Sequence, residues 1–174
     1  MLLAALSPMQ TAMQTPMQPA MRTPNHATPH VEAFYDEATS TLSYVVADMK
    51  NKVCVVIDPV LDLNDGSAEI STHSAGRIVR FIEDCELRAA YVLKTHAHAD
   101  QLSAGCYLKQ KLSAKIGISS RIVDIQRNFA GIYSESPHFP VDGSQFNILL
   151  NDQQILPLGT LQIIALHSPG HTPA

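Results

Sequence analysis

The segment Thr95-His96-Ala97-His98-Ala99-Asp100 is the most informative part of the sequence, because it contains three potential metal ligands at alternate positions. It follows the short apolar run Ala89 to Leu93, which we predict to be a buried β-strand. Residues two apart in an extended loop point the same way, so His96, His98 and Asp100 can project into one pocket beyond the strand end. Imidazoles and a carboxylate suit zinc or iron(II), whereas calcium or magnesium would require mostly oxygen ligands. The stretch therefore predicts a transition-metal site.

A second candidate ligand lies in the turn Pro169-Gly170-His171-Thr172, which follows another apolar run, Leu161 to Leu166. A His-x-His motif alone is a weak signal, but two separate strand-then-loop histidine segments in one chain are a strong one. The combination strengthens the prediction of a metal site and makes His171 a further candidate ligand. His167, four residues before His171, is predicted to be a polar strand-end residue without a ligand role.

These two segments, together with Ile57-Asp58-Pro59 after an early strand, resemble the metallo-β-lactamase superfamily from about residue 31 to residue 174. Within the superfamily the chain is most similar to the persulfide dioxygenase and glyoxalase II-like branch, through residues 107–112, 126–132 and 169–174. The resemblance implies an α/β fold, the αββα sandwich, of which this chain holds the N-terminal portion while the C-terminal part would follow beyond position 174.

The resemblance also implies a function, the oxidation of glutathione persulfide with O₂ to sulfite and glutathione by one iron(II). It assigns His96 and His171 as the two histidine ligands of that iron. His98 and Asp100 would be neighbouring ligands of a residual zinc-type site, and Asp58 would be a buried carboxylate that supports the metal loop. The implied partner is a small thiol or persulfide such as a glutathione derivative.

Gln101 departs from the family pattern, because the superfamily normally has a further histidine of a second metal site at this place. This change favours a mononuclear iron(II) enzyme over a dinuclear zinc thioester hydrolase of the glyoxalase II kind, which remains an alternative. A third alternative is a truncated, catalytically inactive remnant, because the remaining acidic ligand and a later histidine would follow position 174. Whether this chain is itself an enzyme is therefore left open.

Arg127 is a further candidate, for substrate rather than metal. A guanidinium offers two parallel donors that fit a carboxylate, such as one on a glutathione-like substrate. The alternative reading is a residue on a solvated helix face.

Composition limits the class of protein. The 174 residues are 45% hydrophobic, which is enough for one sizeable core, and the net charge of −4 is not gathered into long runs. We expect no nucleic-acid or membrane partner, and a homodimer is possible. The three cysteines, Cys54, Cys85 and Cys106, form no CxxC pair; they indicate a reducing cytoplasm and small buried side chains.

Residues 1–30 are rich in Met, Gln, Thr and Pro and are predicted to be a disordered tail without a signal peptide. Residues 31–174 are predicted to form the domain. Apolar runs and periodicities predict strands at 31–35, 42–47, 53–57, 89–93, 115–118, 146–150, 154–156 and 161–166, and helices at 74–85, 103–112 and 122–130.

Overall fold

The computed structural model describes residues 28–64, 66–98, 100–133 and 139–172. The predicted tail therefore lies outside the described residues up to position 27. The strands are β1 (His30–Asp36), β2 (Thr41–Asp48), β3 (Val53–Ile57), β4 (Val60–Asn64), β5 (Glu69–Ser71), β6 (Arg88–Leu93), β7 (Leu102–Ser103), β8 (Lys115–Ser119), β9 (Ile148–Leu150), β10 (Ile155–Leu158) and β11 (Leu161–Ile164). The helices are α1 (His73–Asp84), α2 (Gly105–Lys111) and α3 (Ile122–Tyr133).

A mixed six-stranded sheet in the order β1-β2-β3-β6-β8-β9 is the centre of the fold. The first three strands are antiparallel, whereas β3, β6, β8 and β9 are parallel to one another. The sequence of β3, Val-Cys-Val-Val-Ile, is apolar throughout because a central strand is covered on both faces. A mixed sheet with parallel central strands agrees with the α/β class predicted from the sequence.

Two apolar cores cover the two faces of this sheet. On one face, Ile78 and Ile82 of α1 and Leu108 of α2 pack against β-strand residues that include Val56 and Val92. On the other face, the β10–β11 hairpin packs Leu156 and Leu158 onto a second cluster. The layers are therefore helix, sheet and second sheet, as the alternating pattern predicted.

The parallel strands bring the candidate site to one edge. β3, β6 and β8 run the same way, so the residues that follow β3 and β6 lie side by side. The amide of Asp58 donates to the carbonyl of Leu93 at 2.9 Å, and the amide of Lys94 donates to the carbonyl of Gly117 at 2.9 Å. These bonds fix the start of the histidine loop against its neighbours.

The structure corrects several predicted boundaries. Strands β4, β5 and β7 are additional, and α2 begins at Gly105 because Ser103 pairs with Val60 in a strand instead. α1 begins at His73, not at Ser74, and the carboxylate of Asp62 accepts the Ser74 amide at 3.0 Å. A side chain distant in sequence thus occupies the helix start, which local capping rules do not reveal.

The cysteine prediction is correct for one residue only. Cys54 is buried, Cys85 is half-buried, and Cys106 is exposed on α2. The apolar periodicity around Cys106 did not distinguish the solvent face of this short helix from its packed face. Across the described ranges, no helix has both the length and the apolar character needed to span a membrane.

Candidate metal centre

At the edge of the sheet where β6 ends, the imidazole ring of His96 lies against the rings of His98 and His171. The ring centroids of His96 and His98 are 4.0 Å apart, and those of His96 and His171 are 5.0 Å apart with the rings nearly perpendicular. His96 and His171 come from loops more than seventy positions apart in the sequence, so only the fold brings them together. The structure therefore gathers the three histidines that the sequence singled out.

Asp58 lies beneath this cluster and is connected to the loop. The Thr95 amide donates to Oδ1 of Asp58 at 2.9 Å, and the Thr95 hydroxyl donates to Oδ2 at 2.6 Å. Nε2 of His98 lies in close contact with Asp58, 3.2 Å from Oδ1. One buried carboxylate thus contacts both the start and the middle of the loop.

Asp58 is itself held in an unusual backbone conformation. Its φ is 47°, a left-handed value that costs free energy in residues other than glycine. Its amide donates to Leu93, and its carbonyl accepts the Ser43 hydroxyl at 2.9 Å. Three strands therefore fix the direction in which this carboxylate points.

Protonation in the cluster favours metal ligation. Burial would raise the pKa of Asp58, but its contact with His98 and the hydrogen bonds from Thr95 outweigh burial and lower the pKa. Burial, followed by the neighbouring His98, lowers the pKa of His96. At neutral pH Asp58 is therefore ionised and His96 is neutral, and a neutral imidazole is the form that binds metal.

The imidazole nitrogens are donor atoms of the type that binds a transition metal, but only some of the candidate ligands lie close together. Nε2 of His96, Nε2 of His98 and both amide atoms of Gln101 are inaccessible to solvent and have no hydrogen-bond partner. A buried polar group without a partner is costly, and a bound cation is one way to satisfy an imidazole nitrogen. However, no three His, Cys, Asp or Glu side chains in the described part of the chain converge on one point.

Asp100 shows why the set is incomplete. Its side chain is exposed, and its Oδ1 lies 3.7 Å from Nδ1 of His98. Asp100 therefore lies beside the histidines without completing a ligand set.

A cavity of about 410 Å³ opens beside His96 and His171. Its walls are partly apolar, with Leu93, Leu150 and Ile163 among the lining residues, and His167 also lines it. A cavity of this size and character suits a small molecule.

The other sequence candidates lie apart from this cluster or were missed. Arg127 is exposed on α3, where Nη1 is 3.7 Å from Oδ1 of Asp124, and it does not line the cavity beside His96. Thr95, which contacts both Asp58 and His96, received no role from the sequence. Its position directly before the histidine motif was the available signal.

The fold and this cluster define the class of protein. A family model described as the metallo-β-lactamase superfamily matches residues 36–174, and the chain belongs to that superfamily. The superfamily is metal-dependent.

Three curated relatives are similar to the chain. A probable metallo-hydrolase of Burkholderia pseudomallei is 42% identical over 83% of this chain, which is 49% of that protein. Glyoxylase B2 of Dictyostelium discoideum is 34% identical over 83% of this chain and 50% of its own length. The human mitochondrial persulfide dioxygenase ETHE1 is 24% identical over 80% of this chain and 43% of its own length. The chain therefore spans half or less of the length of these relatives.

Two solved structures share the fold. A metallo-β-lactamase from Staphylococcus aureus has a TM-score of 0.62 at 24% identity, covering 85% of this chain and 35% of that one. ETHE1 from Myxococcus xanthus has a TM-score of 0.59 at 22% identity, covering 83% and 50%. These likenesses support the fold assignment.

Proposed function

We propose that this chain supplies the histidine side of a mononuclear iron(II) centre that oxidises a small persulfide, with glutathione persulfide as the expected substrate. The observation that carries the proposal is the contact of His96 with both His98 and His171, with Nε2 of His96 buried and without a partner. The reaction balances as glutathione persulfide, O₂ and water giving glutathione, sulfite and two protons.

His96 and His171 are the proposed principal ligands, with His98 and Asp100 as second-rank ligands. Iron(II) bound there would supply the redox chemistry with O₂, and zinc, the alternative, would supply Lewis acidity. Asp58 holds the loop through Thr95, and the neutral state of His96 keeps its nitrogen available. The adjoining cavity has room for a small thiol derivative beside His96 and His171.

Gln101 supports a single metal ion. An amide is a weaker ligand for a transition metal than an imidazole, and both of its polar atoms are buried without partners. A two-metal hydrolase would need a good ligand here, whereas a one-metal oxygenase would not. Arg127 is not part of the proposal because of its position on α3.

Thioester hydrolysis is the second candidate, favoured by a different observation. Relatives at 34–42% identity are named a glyoxylase and a probable metallo-hydrolase, whereas the persulfide dioxygenase relative is at 24%. The substrate class, a small thiol derivative, is common to both reactions. The cytoplasmic location and the homodimer stay predictions.

Turnover measurements on the purified chain separate these functions. We expect the chain, prepared anaerobically with iron(II), to consume O₂ and release sulfite when glutathione persulfide is added, and the zinc-loaded chain not to hydrolyse S-lactoylglutathione. Hydrolysis without O₂ uptake would replace the proposal by the thioester hydrolase. Metal binding without either turnover would contradict both and support the inactive remnant.

A matched variant tests the role assigned to Gln101. We expect Gln101→His to increase the zinc bound per chain, measured by metal analysis, because it adds an imidazole beside the cluster. An unchanged zinc content would contradict the argument that Gln101 restricts the centre to one ion.

A further inference from the structure

Thr95 connects Asp58 to His96 through its hydroxyl group. Oγ1 of Thr95 lies 2.6 Å from Oδ2 of Asp58 and 2.8 Å from Nδ1 of His96. Both distances are those of hydrogen bonds, so one oxygen atom serves two partners. The direction of each bond determines which ring nitrogen of His96 carries a proton.

A threonine hydroxyl has one proton and can therefore donate only one hydrogen bond. An ionised carboxylate can only accept, so the hydroxyl proton points at Asp58. Towards His96 the same oxygen is then the acceptor, and Nδ1 of His96 must be the donor. Because a neutral imidazole carries one N–H, its Nε2 is left with a free lone pair.

We propose that Thr95 is a positioning residue whose hydroxyl, oriented by Asp58, holds His96 in the Nδ1–H tautomer and presents the lone pair of Nε2 at the centre of the histidine cluster. In this tautomer Nε2, the atom of His96 that is buried without a partner, carries a lone pair and no proton. The tautomer follows from the two hydrogen bonds of the hydroxyl and from a carboxylate that also accepts the Thr95 amide; only its purpose, metal ligation by His96, rests on the proposed function.

The surrounding hydrogen bonds fix the orientation of Asp58, Thr95 and His96, which together form the relay. The Thr95 amide occupies Oδ1 of Asp58 while its hydroxyl occupies Oδ2, so the two residues are joined at two points. The backbone of Asp58 is fixed by Leu93 and Ser43. Outer-sphere partners of this kind fix the ring orientation and tautomer of a ligating histidine.

Nitrogen NMR of the metal-free chain tests the relay directly. With ¹⁵N-labelled histidine, the shifts of Nδ1 and Nε2 report which nitrogen is protonated, and the exposed His73 serves as an internal reference. We expect the wild-type chain and Thr95→Ser to show the Nδ1–H tautomer at His96. Thr95→Val, which keeps the shape and removes the hydroxyl, should shift His96 towards the Nε2–H tautomer that predominates in water.

Metal affinity provides the second measurement. We expect Thr95→Val to weaken zinc binding by about 10–100-fold, and Thr95→Ser to keep the wild-type affinity. A wild-type chain with His96 in the Nε2–H tautomer would overturn the proposal, and this result requires no variant to fold. The same conclusion would follow if Thr95→Val left both tautomer and affinity unchanged.

The tautomer measurement also separates this inference from the proposed function. A chain that shows the Nδ1–H tautomer at His96, lost in Thr95→Val, but that oxidises no persulfide would support the relay and contradict the dioxygenase. A chain that oxidises persulfide while His96 has the Nε2–H tautomer would support the dioxygenase and contradict the relay.

Discussion

Two buried aspartates at opposite ends of the central sheet have contrasting surroundings. Asp48 ends β2 and Asp58 follows β3, and because these strands are antiparallel the two carboxylates lie far apart along the sheet. Both are nearly inaccessible, at 3% and 8% exposure. What differs is how completely the polar groups around each of them are satisfied.

Around Asp48, five hydrogen bonds close a structural junction. Its carboxylate accepts from the amides of Lys50 and Asn51, from the Asn51 side chain, and from both the amide and the hydroxyl of Thr160. Thr160 belongs to the turn between β10 and β11, so the junction ties the second sheet to the first. No side-chain atom of these residues is among the buried unpaired atoms of the described chain.

Around Asp58, by contrast, the bonds hold a loop whose own polar atoms remain unpaired. Nitrogen atoms of His96 and His98 and the amide of Gln101 have no partner. Natural proteins rarely leave such groups buried without a reason, and a bound ion is one such reason. Both regions contain a buried carboxylate, so the carboxylate does not identify a binding site. The difference lies in the neighbouring polar atoms, which have hydrogen-bond partners around Asp48 and lack them around Asp58.

The largest expected effect is a loss of zinc binding at the histidine cluster near Asp58. We expect His96→Ala or His171→Ala to weaken zinc binding by at least about 100-fold, more than the loss of an outer-sphere partner would. The thermal midpoint of the metal-free His96→Ala chain should fall only slightly, because the substitution removes one hydrogen bond, to Thr95, together with a buried nitrogen, Nε2, that has no partner. Chelator competition and thermal unfolding measure the two properties, and His73→Ala is the control. Unchanged zinc affinity would contradict the conclusion that the region around Asp58 is a binding site and the region around Asp48 is not.

At the satisfied end, Gly159→Ala should affect stability alone. Gly159 has a φ of 64°, and an added Cβ would lie 2.5 Å from Oδ2 of Asp48. We expect a loss of about 1–3 kcal/mol in the free energy of unfolding, measured in urea, because both the backbone and the junction are strained. Gly76→Ala in α1, where the Cβ meets nothing within 4 Å, should instead stabilise by about 0.5–1 kcal/mol. Equal effects of the two substitutions would contradict the junction.

The pH dependence of stability sharpens the same contrast. Hydrogen bonds from Thr160, first from its hydroxyl and then from its amide, lower the pKa of Asp48. A carboxyl group whose folded pKa is depressed stabilises the fold above its unfolded pKa of about 3.9, and that contribution is lost as the pH falls through the folded value. We therefore expect Asp48→Asn to be less stable than wild type at neutral pH, with the difference narrowing in acid. Urea midpoints between neutral pH and about pH 3 provide the measurement; a constant difference would contradict the assignment.

The sequence predicted most of the fold, because the central strands and helices carry strong hydrophobic periodicity. It missed β4 and β7, which depend on pairing between Val60 and Ser103, residues far apart in the chain. The backbone N–H and C=O groups of these short strands form hydrogen bonds with a partner strand that the local sequence does not indicate. Long-range pairing was therefore the main source of error.

The candidate site shows the same division. The spacing of His96 and His98 predicted a shared pocket, and the structure brings their rings together with that of His171. Thr95 was missed because its role depends on Asp58, which only the parallel pairing of β3 with β6 places beside it. Arg127 was included because guanidinium chemistry fits a carboxylate, but residue chemistry does not indicate on which surface a helix residue lies.

Arg127→Ala is expected to have the smallest effect, and it tests whether the site extends to α3. The ion pair with Asp124 joins two exposed side chains at a separation of three residues, which contributes about 0.3 kcal/mol. We expect neither stability nor glutathione affinity, followed by NMR titration, to change beyond this. Arg77→Ala is the matched control, since its Nη1 donates to the Tyr35 carbonyl and its guanidinium lies 5.8 Å from the Phe34 ring centroid; its loss should cost about 1 kcal/mol. A tenfold loss of glutathione affinity in Arg127→Ala would show that the substrate contacts α3 as well as the histidine cluster. The binding site would then extend beyond the unpaired atoms around Asp58.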